Sequence, residues 1–231
     1  MRLLDLLKMD VMFQVRHGFY YAYALVSAFY IGVLLFLPES IIQEASIFII
    51  FTDPSVLGFF FVGGLVLLER NQSIFNSLFV TPISIHAYLW SKVLSLTLLA
   101  TITSSFIFYF IHHHSFAFLP FMMAVLFCSV FFTLLGIVLA VRVPSINAFL
   151  YTSPLLVIIF YLPLLNFINV DSQIFYILPT QAILILLEGA FHELSFNMYS
   201  YATITCIIWI GVAYFWAYYE TNQFLKNKCF Q

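Results

Sequence analysis

The chain has 231 residues, of which 64% are hydrophobic and only 8% charged, with a formal net charge of −2. Soluble domains carry about a quarter charged residues, so this composition excludes a water-facing globular surface. No polar stretch is long enough to enclose a soluble core, and no nucleic-acid partner is expected.

Long apolar runs recur along the whole length, which makes lipid the expected solvent. They are apolar on every side, unlike the alternating strands of a membrane β-barrel. The expected fold is an all-α integral membrane protein, a single domain over residues 1–231. It would contain about six transmembrane helices, because each long run is close to the length a bilayer requires. The three cysteines (Cys128, Cys206, Cys229) lie far apart and show no metal spacing.

Residues 1–16 read as an amphipathic interfacial helix. Leu3, Leu7, Val11 and Val15 repeat four apart, while Arg2, Asp5, Lys8, Asp10 and Arg16 take other faces. The start does not read as a signal peptide, since Asp5 interrupts the basic region and no small-residue cleavage site follows. The first span is expected over 19–37, stopped by Pro38-Glu39, and the second over 46–68, stopped by Glu69-Arg70. The third is expected over 88–111, ending at His112-His113-His114, and the fourth over 118–141, ending at Arg142 and Pro144. The fifth covers 148–167 and the last 199–219, followed by a tail over 220–231.

The segment 174–191 is apolar but holds Pro179, Gln181 and Glu188. With the N-terminus in the cytoplasm and about six spans, every Lys and Arg falls on or beside the cytoplasmic face. A seventh span would move Lys226 and Lys228 outside. The segment is therefore expected to be re-entrant or to lie at the outer surface against protein, with both termini cytoplasmic.

Asp53 is a carboxylate in the second span beside Pro54. Such a group is costly in hydrocarbon, so it either lines a pathway or caps a helix break at the proline. Thr101, Ser105, Tyr151 and Ser153 offer hydroxyls inside spans, for packing or for substrate, and Glu188 is placed to face an outer mouth. His112-His113-His114 does not read as a metal site, because neighbours on a helix point about 100° apart. No metal is expected, and no residue is expected to be catalytic.

The polar segment between the second and third spans carries the most information. A helix leaves the membrane at Glu69-Arg70, and a short amphipathic stretch then places Ile74, Phe75, Leu78 and Phe79 on one face. Thr81-Pro82 ends it, Ser84 can cap the next helix, and Lys92 marks re-entry. An exposed apolar helix face with no soluble domain to pack on implies a partner.

The Glu-Arg pair, the short helix and Leu78-Phe79-Val80-Thr81-Pro82 after the second of six spans resemble the membrane subunits of ABC-2 type transporters. The resemblance covers the whole chain as architecture, and residues 69–82 as a motif. Ser73 or Asn71 stands where that family usually has glycine. Asp53-Pro54-Ser55-Val56-Leu57-Gly58 resembles a subgroup of small drug-export permeases of the fluoroquinolone type. The resemblance implies that 69–84 is a cytoplasmic coupling helix docking on ABC ATPase subunits, with Glu69, Arg70, Ile74, Phe75, Leu78, Phe79, Thr81 and Pro82 at the contact. It also implies a second permease subunit, identical or homologous, and a bacterial cell membrane.

No glycine in the chain is followed by lysine, so the P-loop that cradles ATP phosphates is missing. ATP and Mg are therefore expected on the partner ATPase, with no cofactor in this chain. The expected function is that of a permease subunit of an ATP-driven exporter, working by alternating access. A pathway poor in charge suits apolar or amphipathic cargo such as a drug, a lipid-like molecule or a peptide. The alternative is a secondary transporter or channel not driven by ATP, which predicts relay charges deep in several spans; Asp53 alone qualifies.

Overall fold

The computed structural model describes residues 3–72, 83–112, 117–168, 170 and 172–229, with side chains described to Lys226. These residues are helical almost throughout, with no strand among them. Helix α1 (Leu3–Arg16) is followed by Gly18 at φ 79°, a left-handed turn that suits glycine because it lacks Cβ. Helix α2 (Phe19–Phe36) stops before Pro38, whose extended backbone starts the next helix. Helix α3 (Glu39–Thr52), a five-residue π-turn (Asp53–Leu57) and α4 (Gly58–Asn71) then form one rod of 33 residues. Pro54 explains the wide turn: it has no N–H, and its ring would clash with the carbonyl four residues back. The Ser55 hydroxyl donates to the Phe51 carbonyl there, at 2.7 Å.

Helix α5 (Ile85–His112) starts under Ser84, whose Oγ accepts from the Ala87 N–H at 3.2 Å, the cap expected from the sequence. Helix α6 (Phe118–Arg142) follows, and Ser145 caps α7 (Ile146–Tyr161) in the same way. A 3-10 turn over Leu162–Ile168 extends α7, and another covers Gln173–Ile177. The chain finishes with α8 (Pro179–Glu188) and α9 (Phe196–Cys229).

Six helical stretches among the described residues are long and apolar enough to cross a bilayer: 19–36, 39–71, 85–112, 118–142, 146–167 and 196–226. This agrees with the count read from the sequence. The rods outrun the apolar runs, reaching back to Glu39 in the second and on through Glu220 in the last. Hydropathy marks only the lipid-immersed length, whereas a helix continues into the interface wherever its backbone stays paired. Helix α8 has 10 residues, about 15 Å, which is half the bilayer's hydrocarbon thickness.

Helix α6 is the centre of the bundle. Most of its span (83%) is buried, against 17% for α2 and for the α7 stretch. Small residues let its neighbours approach closely. A Cβ on Gly136 would lie 2.6 Å from the Phe59 carbonyl and 2.5 Å from Val62 Cγ1, so α6 and α4 touch backbone to side chain. Gly63 of α4 leaves room for the ring of Phe149, which stacks on Phe59 with centroids 5.4 Å apart.

The two ends of the bundle differ. One gathers Arg70, Lys92 and Arg142 with α1 and the end of α9, and is called the basic face below. At the other end the Ala117 N–H donates to the Ala190 carbonyl at 2.8 Å, and Gln43 meets His192 at 2.7 Å. From there the chain folds inward. The carbonyl of Ile177 accepts from Trp209 Nε1 at 2.8 Å, about 20 Å along α9 from its start, counting 1.5 Å per residue. Helix α8 then climbs back to the end it left. Side chains of α9 satisfy the irregular backbone, with Tyr201 bonded to the Tyr176 carbonyl beside the Trp209 contact. The segment 174–191 thus enters and leaves by one end, with Pro179 to Leu187 buried.

The close approach at Gly136 yields a test. Gly136→Ala should force α4 and α6 apart and destabilise the purified protein by about 1–3 kcal/mol. Gly211→Ala, where an added Cβ meets nothing within 4 Å, should leave thermal unfolding in detergent unchanged. Equal unfolding temperatures for the two variants would contradict this packing.

Candidate functional site

Three elements meet at a charged cluster inside the basic face. Lys92, two turns into α5, is 1% exposed. Its ammonium donates to Asp10 Oδ1 of α1 and to Glu69 Oε1 of α4. The second oxygen of Glu69 accepts from the Tyr88 hydroxyl at 3.0 Å, and the Tyr88 ring lies 5.1 Å from the Lys92 nitrogen. One turn along, Gln14 Nε2 donates to Ser95 Oγ at 2.7 Å. A charge in such surroundings persists only when paired and hydrogen-bonded. The cluster therefore fixes α1, the end of α4 and the start of α5 against one another. Glu69 and Lys92 are the stems on either side of the cytoplasmic elbow expected from the sequence.

Arg70 takes a different partner set. Its Nη1 and Nη2 donate to the carbonyls of Val143 and Pro144 at 2.8 and 3.2 Å, and its guanidinium sits 5.3 Å from the Phe224 ring. It thus ties the end of α4 to the α6–α7 connection and to α9. Arg142 pairs with Glu220 at 2.5 Å and lies 5.4 Å from Trp216. That pair is half open to solvent and contributes little stability on its own.

Of the elbow residues named from the sequence, Ile74, Phe75, Leu78, Phe79, Thr81 and Pro82 lie outside the described residues. Glu69 and Arg70 are described and do pair, each with other helices. Asp10, Gln14 and Lys92 form the centre of the cluster, and sequence reasoning did not single them out as a site. The signal was present: Asp10 and Gln14 are four apart on α1, and Lys92 and Ser95 three apart on α5. Helix α1 turns these polar groups and Leu6 inward and leaves Leu4, Met12 and Val15 exposed.

The expected pathway residues do not converge on one spot. Thr101 and Ser105 line a groove of about 780 Å³ between α5 and α6, walled by Phe106, Phe110 and Met122. Asp53 is sealed inside the bundle, with Oδ2 accepting from Thr103 and Ser104 at 3.2 and 3.4 Å. Its bonds run to α5 and not to the backbone freed at Pro54. Tyr151 stands on the outer side of α7 at 82% exposure, whereas Ser153 is buried and bonds back to the Leu150 carbonyl at 3.1 Å. Glu188 lines a separate cavity of about 310 Å³ at the end opposite the basic face, with Gln43, Glu44, Asn166, Gln181 and His192. Desolvation there raises the Glu188 carboxyl from its ordinary value, and His192 opposes the shift. Among the described residues no three His, Cys, Asp or Glu side chains come together as metal ligands.

A family profile described as the fluoroquinolones export permease protein family matches residues 1–228. The chain belongs to this family. Two fluoroquinolones export permease proteins of Mycobacterium tuberculosis, from strains CDC 1551 / Oshkosh and ATCC 25618 / H37Rv, are similar to it. Each is 25% identical over 196 residues, covering 84% of this chain and 83% of the relative. The resemblance to small drug-export permeases drawn from 53–58 and 69–82 therefore holds, and the chain is a multi-pass membrane permease.

In this permease the buried cluster provides the sharpest test. Lys92→Met leaves two carboxylates facing each other in a dry site and should cost about 3–5 kcal/mol of stability. Adding Asp10→Asn and Glu69→Gln removes both orphaned charges and should restore most of the loss. Thermal unfolding of the detergent-purified variants reads this directly. A triple variant no more stable than Lys92→Met alone would contradict the ion-pair account.

Proposed function

We propose that this permease is the membrane half of an ATP-driven exporter. ATP hydrolysis takes place on separate ABC ATPase subunits, and a second permease subunit completes the pathway. One observation carries the reading. The Asp10–Lys92–Glu69 cluster holds both stems of the 73–82 segment and α1 as one unit. A force applied to that segment reaches the membrane helices only if its stems are rigid. The family profile, the missing P-loop and the Glu69-Arg70 to Thr81-Pro82 motif support the same reading. The basic face is then cytoplasmic, in keeping with the one-sided Lys and Arg.

The cargo is an amphipathic molecule that passes along the α5–α6 groove, in the half of the bundle away from the basic face. Its walls are mostly aromatic and aliphatic, with the Thr101 and Ser105 hydroxyls as the polar handle. Glu188, Glu44 and the amides beside it form the exit side. Tyr151 and the exposed ridge of Leu150, Leu155 and Ile158 on α7 serve the second subunit or lipid. Asp53, bonded to Thr103 and Ser104, braces the pathway wall from behind.

Inside-out vesicles holding the permease and its ATPase should accumulate an amphipathic dye when ATP is supplied, and vanadate should stop them. Ser105→Trp should cut uptake at least about tenfold while ATPase binding persists, since an indole fills the groove. Uptake that follows a proton gradient and ignores ATP would replace this reading with a secondary transporter. For orientation, Lys226→Cys should react with an impermeant thiol reagent only after cells are opened. Labelling of intact cells would reverse the topology.

A further inference from the structure

A third cavity lies beside the charged cluster and serves none of the roles above. It is a groove of about 520 Å³ along α1, lined by Met9, Asp10, Met12, Phe13, Arg16 and Glu69 among others. Its walls are apolar, and Met12 is 63% exposed. In a membrane protein such a surface is covered by lipid or by protein.

The polar groups in the groove say which chemistry fits. Asp10 is 1% exposed, and only its Oδ1 is used by Lys92. Its Oδ2 is buried with no hydrogen-bond donor. A buried acceptor left in this way costs free energy until a donor reaches it. The cluster also sets two acids against one ammonium, so Lys92 serves both and neither has a cation of its own. Arg16 lines the same groove from the exposed side, and among the described residues it has no ion-pair partner. The site therefore offers, in order from floor to rim, an orphan acid, an apolar wall and a free guanidinium.

We propose that this groove binds the headgroup of an aminophospholipid of the ethanolamine type from the leaflet at the basic face. The primary ammonium donates to Asp10 Oδ2, the phosphate pairs with Arg16, and the glycerol and upper acyl carbons lie along Met12 and Val15. Choline lipids meet the charge requirement but not the hydrogen-bond requirement, because a trimethylammonium has no N–H to give. Phosphatidylglycerol brings an anion for Arg16 and nothing cationic for the floor. The occupied groove would hold α1 in place from its open side, opposite the Gln14–Ser95 bond.

The full chain is placed in nanodiscs of equal parts phosphatidylethanolamine, phosphatidylcholine and phosphatidylglycerol, then released for native mass spectrometry. The ethanolamine lipid should remain bound at about tenfold excess over choline lipid, the ratio that 1.4 kcal/mol sustains. Arg16→Ala and Met12→Trp, both at exposed positions, should abolish that preference without loss of folded yield. Asp10→Asn should also abolish it, and any misfolding of that variant leaves the other two to decide. Equal retention of choline lipid overturns the proposal, as does a preference that survives both Arg16→Ala and Met12→Trp. A thiol label at Met12→Cys blocked by the bound ATPase, and not by ethanolamine lipid, would assign the groove to protein instead.

Discussion

A single buried ammonium organises the basic end of this permease. Lys92 sits where water is excluded, and a lone charge there would be intolerable. It is kept by drawing two carboxylates from elements far away in sequence, Asp10 and Glu69, 82 and 23 residues distant. Much of the local architecture follows. Helix α1 is tied to α4 and α5, because its Asp10 is one of the two counter-ions. The α4 and α5 ends cannot splay, because Glu69 and Lys92 are on opposite stems. Tyr88 completes the shell by donating to the free oxygen of Glu69. The interaction is better described as a specificity device than as a source of stability, since an apolar trio of the same shape would fit as well.

Away from that end, order comes from close packing and not from charge. Lipid offers no hydrophobic drive between helices, so van der Waals contact must do the work. Helix α6 shows how: Gly136 admits α4, and Gly63 of α4 admits Phe149. The outer helices α2 and α7 pack loosely by comparison, and their exposed Tyr21, Leu25, Phe29, Leu155 and Ile158 are available to lipid or a second subunit. Hydroxyl pairs reinforce the seams, as between Ser129 and Thr97 at 3.1 Å and between Ser55 and Tyr161 at 2.6 Å.

The sequence told span number and type clearly, because apolar length is a local property. It told Ser84 as a cap for the same reason. Its spans stop short of the helices, since polar residues such as Glu39 and Glu220 continue a helix beyond the apolar run. Lys92 marks re-entry into the membrane in the sequence, and its two acidic partners are visible only in three dimensions. Asp10 shares its helix with Asp5, Lys8 and Arg16, yet those three are exposed while Asp10 and Gln14 turn inward beside Leu6. Nothing local in the sequence separates the buried polar pair from the exposed charges. Side-chain chemistry alone does not tell which hydroxyls face a cavity: Thr101 and Ser105 share a groove while Asp53 and Ser153 are walled in.

The π-turn at Asp53–Leu57 has a consequence for how this rod tolerates change. One extra residue in a single turn shifts the angular phase of everything beyond it by about 100°. The faces of α3 and α4 are therefore set independently, like two keys cut on one shaft at different angles. Ser46, Ile47 and Ile50 point inward on one side of the turn and Phe59, Val62 and Val66 on the other. The turn absorbs one residue, so the inward faces on both sides of it meet α6. Losing one residue inside 53–57 would restore a regular helix and leave those faces where they are. Losing one outside the turn, in α3 or α4, would rotate part of the rod by about 100° against α6.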